Sequence, residues 1–248
     1  MKGNTNSAAR NGFRKHSLAF ALATGLTTVF GATAVQAATW DVSITNLTNG
    51  SHFTPLLMTA HAHDAPLFEV GSSATAGLTL MAECGDLSML ETEIGYMMGD
   101  TQTSINPAAG LLDPAANTMT TLDTTDTHLT VVAMVLPSND AFVGLSQHIP
   151  SEAGTYTYYV NVYDAGTEAN SEQLTSGCAA GMSGIPAAPS GGTGTNGTGV
   201  AGADTNTMIH VHRGVLGDTN ATGGASDLNS TIHRWQNPVA KITVTVTP

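Results

Sequence analysis

The sequence predicts a mostly β protein, an antiparallel sandwich with Greek-key-like connections and two short helices, with a β-barrel as the alternative closure. Three observations carry this. The apolar run from Leu129 to Leu136 is too short to cross a membrane and too β-branched to favour helix, so it reads as a strand buried on both faces. Two further stretches, Trp40 to Leu47 and Val239 to Val246, alternate apolar and polar residues with the period of a half-buried strand. A helical period appears only between residues 73 and 98, among many turn signals.

In chain order, the Trp40 to Leu47 strand closes on the turn signal Asn49-Gly50, and LLMTAHAH (56 to 63) forms a second strand. On that strand His61 and His63, two apart, point to one face. Pro66 and Gly71 enforce a loop. Leu78, Met81 and Cys84 then share one helical face, Gly85 and Asp86 end one helix and cap the next, and Met89, Leu90, Ile94 and Met97 ride on the second as core residues. Residues 99 to 118, with Pro107 and Pro114, read as loop, and Met119 to Leu122 as a short strand. The central strand from Leu129 stops at Pro137, which cannot donate to a ladder, and Ser138, Asn139 and Asp140 bond their own backbone, leaving Asp140 at the rim. Thr155 to Tyr163 is one aromatic-rich strand delivering Asp164. Residues 175 to 205, dominated by Gly, Ser, Thr, Ala and Asn, read as a flexible insertion, poorly ordered unless Cys178 ties it down. Met208 to His212 resumes as a strand, with His210 and His212 facing the same way.

The first 37 residues carry Lys2, Arg10, Arg14 and Lys15, an apolar run from Leu18 to Ala34, and the small-residue site Val35-Gln36-Ala37. That is the pattern of a signal peptide cut after Ala37, followed by a single β-domain over 38 to 248. No later stretch is long enough to span a bilayer, so the expected location is the periplasm, the cell surface or the medium. Cutting there leaves Arg213, Arg234 and Lys241 as the basic residues against 19 acidic ones, a surface that repels nucleic acid and anionic lipid and attracts cations. Cys84 and Cys178 remain in an exported chain, where they stand either as a bridge or as two separate thiols. A bridge over so long a loop would contribute about 4 kcal/mol in the chain-entropy picture.

PSNDAFVGL, from Pro137 to Leu145, resembles the PSPDWFVGV signature of the spondin N-terminal domain family, found in animal F-spondin and mindin and in bacterial secreted proteins. Leu57 to Ile94 looks like the family's His-containing strand, its loop and its helical GL..(L/F)AE.GD segment. YDAGTE, from Tyr163 to Glu168, resembles the family's YDAGTD, and Asn237 to Thr243 its closing strand. The resemblance implies a C2-like sandwich and an adhesion or matrix-binding module.

Two constellations are candidates for metal. Asp140 and Asp164 match positions of the two signature loops that bind calcium in animal relatives. Calcium takes six to eight oxygens, so further donors are needed, and Asp123 and Asp126 are the nearest acids to the family's third position. The second is imidazole: His61 with His63 and His210 with His212, which on adjacent strands would offer four nitrogens to copper or zinc. No HExxH, CxxC, nucleophile elbow or phosphate-binding loop appears. The expectation is therefore an exported calcium-binding adhesion module with an unidentified protein or surface ligand. A copper- or zinc-binding protein is the alternative, and a metal-dependent enzyme ranks last.

Overall fold

The structure is a computed structural model and describes residues 37–62, 66–97, 101–179, 181–191 and 196–248. The expected signal peptide, apart from Ala37, and His63 lie outside the described residues. In chain order the elements are β1 (Ala38–Asn46), β2 (His52–Phe53), β3 (Leu57–His61), α1 (Ala76–Cys84), α2 (Ser88–Met97), β4 (Gln102–Ile105) and β5 (Asn117–Thr124). They continue with β6 (His128–Leu136), β7 (Ala141–His148), β8 (Gly154–Val160), β9 (Val162–Asp164), β10 (His210–Val211) and β11 (Ala240–Thr247).

Two antiparallel sheets face one another. The smaller has the order β5-β1-β11-β8, and the larger runs β10-β9-β7-β6-β3-β4, with β2 paired to β6. Neither closes into a barrel. β6 lies inside the larger sheet, which explains its composition: every one of its residues is buried. Val131, Ala133 and Val135 face the core between the sheets, where they meet Val42 and Ile44 of β1 and Ile242 and Val244 of β11. Val132, Met134 and Leu136 face the other way, into a second core with Phe142 and with Leu78, Met81, Leu90 and Ile94 of the helices. A strand covered on both sides has no polar face to show, so the alternation seen in β1 and β11 disappears. Met89 points outward instead, 42% exposed.

The helix pair is fixed at its ends. The Thr75 hydroxyl accepts the Leu78 N–H at the start of α1, and Gly85 ends it with φ of 68°, donating its N–H to the Met81 carbonyl. A Cβ on Gly85 would also lie 2.6 Å from the Thr54 methyl, so both the turn and the packing require glycine.

Two elements depart from the sequence expectation. Residues 102–105 form an edge strand, β4, against β3, within a stretch expected as loop. The aromatic strand expected from Thr155 to Tyr163 is divided at Asn161: β8 pairs with β11 in the small sheet, whereas β9 pairs with β7 in the large one. Local alternation does not report which sheet a residue belongs to, so a continuous pattern conceals the crossing. The Gly, Ser and Thr-rich stretch is held down within its described part: Ile185 is fully buried, and Thr175 and Ile185 exchange backbone hydrogen bonds with Ile185 and Gln173. Cys178 is bonded to Cys84 of α1, with Cα atoms 5.6 Å apart.

Candidate cation site at the ends of β6 and β9

The β6–β7 connection is built from its own polar side chains. Ser138 donates from its hydroxyl to the Val135 carbonyl and accepts the Ala141 N–H, closing the turn that Pro137 opens. Asn139 accepts the Glu172 N–H and donates to Ser171 and Glu168, so it ties this loop to the one after β9. The next residue, Asp140, is directed inward and has 0% of its surface exposed.

Asp140 Oδ2 accepts from the Thr167 N–H (2.9 Å), the Thr167 hydroxyl (3.2 Å) and the Glu168 N–H (3.3 Å). Its other oxygen, Oδ1, has no partner. Burial, and then the negative charge of Asp164, push its pKa up to about 7. The sheet brings Asp164 there by register, since it is the last residue of β9 and lies opposite both Ala141 of β7 and His210 of β10. Asp164 Oδ1 accepts the Gly166 N–H at 2.8 Å and Oδ2 accepts the Asn170 amide at 2.6 Å. Burial raises its pKa as well. Gly166 makes the tight return possible: its φ is 71°, and a Cβ would lie 2.6 Å from the Thr207 carbonyl carbon.

Glu168 is the third acid of the cluster, four residues beyond Asp164. Its Oε2 accepts the Gly184 N–H at 2.7 Å and the Asn139 amide at 3.3 Å, while Oε1 is buried without a partner. Its pKa too is pushed up to about 7, by burial foremost. Its signal stood in the sequence as the last residue of YDAGTE, but only the folded loops show it meeting Asp140. Asn170 was not foreseen either. It bridges Asp164 and Asp204, whose Oδ2 accepts from the Asn170 amide at 2.9 Å.

The two histidines of β10 and its exit join this site. His210 Nε2 lies 3.7 Å and His212 Nε2 3.9 Å from Asp164 Oδ2. His210 Nδ1 donates to the Met208 carbonyl, leaving Nε2 toward the carboxylate. His212 Nδ1 accepts the Gly214 N–H, so its proton is on Nε2, shared with Asn170 Oδ1 at 2.8 Å. Burial holds His212 down to about 3, which keeps it neutral.

The other candidates lie elsewhere. Asp123 and Asp126 flank the start of β6, whereas Asp140 follows its end, and nine extended residues separate the two by roughly 26 Å. Asp123 instead accepts the Thr39 hydroxyl, and Asp126 completes a turn with Thr124. His61 is on β3, four strand positions from β10 in the sheet, roughly 19 Å away. Its ring is fully buried, with Nδ1 2.6 Å from the Ala62 carbonyl and Nε2 2.8 Å from the Thr130 hydroxyl. His61 is therefore not brought together with His210 and His212, because β3 and β10 are not neighbours, and His63 lies outside the described residues. A groove of about 430 Å³ on the outer face of β7, around Gly144 and Ser146, is lined by none of the orphaned polar atoms.

Among the described residues, no three His, Cys, Asp or Glu side chains converge as a ready-made metal cage. The donor chemistry of the Asp140 loops nonetheless fits a hard cation. They hold carboxylate oxygens, two of them buried and unpaired, and burial raises the pKa of the acids that carry them. Calcium takes six to eight oxygens, so carbonyls and water would have to complete the shell beside these carboxylates.

A family model described as Spondin_N matches residues 44–177. That span takes in Asp140, Asp164 and Glu168 and ends one residue short of Cys178. No curated protein matches the chain.

Proposed function

The chain belongs to the Spondin_N family, and on that premise we propose that it is an exported, calcium-binding module of the adhesion or matrix-binding kind. The observation that supports the calcium part is the pair of buried, unpaired oxygens, Asp140 Oδ1 and Glu168 Oε1, at the meeting of two loops. Asp140, Asp164 and Glu168 would hold the ion, which supplies the positive charge that these acids lack. Binding would lock the 137–140 loop to the 165–168 loop and present a rigid rim to a protein or surface ligand. The export part rests on the n-region, h-region and Ala37 cleavage pattern, and among the described residues no helix is long and apolar enough to cross a membrane. The module is proposed to bind and not to catalyse.

The test is a thermal melt of chelator-treated protein with and without calcium. A ligand that binds the native state at a hundredfold excess over Kd adds about 2.7 kcal/mol, which a melt resolves. Wild-type protein should melt higher with calcium, and Asp140→Asn should not respond. An equal rise in both would sink the assignment.

A second reading keeps the same place but changes the ion. His210 Nε2 faces Asp164 Oδ2 with its other nitrogen fixed by a carbonyl, an arrangement that suits zinc or copper. A response to zinc that His210→Ala removes, alongside indifference to calcium, would favour it.

A further inference from the structure

Glu83 is the penultimate residue of α1 and has 1% of its surface exposed. A helix C-terminus carries partial negative charge and favours a base, yet the last turn of α1 has none, and an acid is buried there instead. Glu83 Oε2 accepts the Gly181 N–H at 2.6 Å, and Oε1 is buried without a partner. Glu168 repeats this pattern three residues further along the same turn, with Oε2 on the Gly184 N–H and Oε1 unpaired. The turn itself is fixed from both sides, by the Cys84–Cys178 bond before it and by buried Ile185 after it.

Each carboxyl group thus spends one oxygen on a backbone amide of the 181–184 turn and leaves the other without a hydrogen-bond partner. An ionised oxygen in that state is costly unless the group takes up a proton, as burial favours for Glu168, or a cation supplies the missing partner. The charge count points the same way. Asp140, Asp164, Glu168, Asp204 and Glu83 bring five carboxyl groups to these loops, and Arg213 reaches their edge through the Asn170 carbonyl. A single divalent ion at Asp140 and Asp164 leaves Glu83 and Glu168 uncompensated.

We propose that Glu83 and Glu168 hold a second divalent, oxygen-seeking cation beneath the 181–184 turn, with Glu168 standing between it and the first position. The proposal rests on the calcium reading for the class of ion alone, since Glu83 belongs to α1 and has no part in the first position. Carbonyls and water complete the shell, as they do at other calcium sites. The Cys84–Cys178 bond then acts as the strap that keeps the turn over the ion.

The experiment counts calcium ions per chain by native mass spectrometry and by calorimetric titration, using the oxidised full chain after chelator treatment. Wild-type protein should bind two ions, and Glu83→Gln should bind one, with affinity at the second position reduced about tenfold or more by loss of a ligand charge. Asp140→Asn should lose the first position. If Glu83→Gln binds as wild type while Asp140→Asn loses an ion, the second position is overturned and the first stands. A wild-type chain that binds one ion overturns the second position even where Glu83→Gln does not fold. A chain that binds none overturns both.

Discussion

The Thr167 N–H donates to Asp140 Oδ2 across 2.9 Å, and that bond spans two loops 27 residues apart in sequence. It means Asp140 is positioned by the backbone that follows β9, and not by the sheet it leaves. Asn in its place keeps an oxygen for this bond and removes the buried charge. Asp140→Asn is therefore expected to melt at or above the wild-type temperature in chelator, and to show no rise with calcium. A loss of several degrees in chelator would mean the charge itself stabilises the fold.

The pH dependence follows from the two raised acids. Asp140 and Glu168 have folded constants near 7, above the ordinary carboxylate range of the unfolded chain. The native state consequently holds protons that the unfolded state has already released, so their contribution is full below about pH 4 and is lost as pH rises toward 7. Urea midpoints of the calcium-free protein should fall between pH 4.5 and 7.5, and saturating calcium should flatten or reverse that slope. A midpoint that climbs over the same interval without calcium would contradict the burial of these groups as acids.

Val132 is fully buried between β6 and the helices. Val132→Asp places an unpaired charge in that layer and should cost about 3 to 5 kcal/mol, measured as a shift in the urea midpoint at unchanged slope. Val211, by contrast, is 52% exposed on β10, and Val211→Asp should stay within about 0.5 kcal/mol of wild type.

Removing the disulfide should be felt twice. Cys84→Ser with Cys178→Ser is expected to lose about 2 to 5 kcal/mol of stability. It should also weaken calcium binding, because the turn that donates to Glu83 and Glu168 is no longer strapped to α1. Alkylation of the unreduced wild-type protein under denaturing conditions should label no thiol.

The parts of this fold that could be seen in the sequence are those decided locally. β6 announced itself because burial on both faces writes an apolar run, and the stop at Pro137 fixed where Asp140 would emerge. Gly85 marked the helix end because only a left-handed residue continues there. What could not be seen was decided by which end of the sandwich a junction occupies. Asp123, Asp126 and Asp140 are close in sequence, but antiparallel strands deliver successive junctions to opposite ends, so the first two are remote from the third. His61 and His210 looked alike as members of i, i+2 pairs, and strand order alone separates them. The burial of Glu83 was not legible, since nothing in a helical period reveals that an acid faces a distant glycine turn.

The crossing at Asn161 has a mechanical side. β11 is bonded along its length to β8, and β8 passes through a single residue into β9, whose last residue is Asp164. Part of a pull on β11, which is also bonded along its length to β1, would pass through the β11–β8 ladder and one covalent stretch of backbone to Asp164. In a module that tethers one surface to another, tension would be felt where the ion is proposed to sit, and a bound ion would resist it by clamping the far end of the same line to β7 and the 137–140 loop.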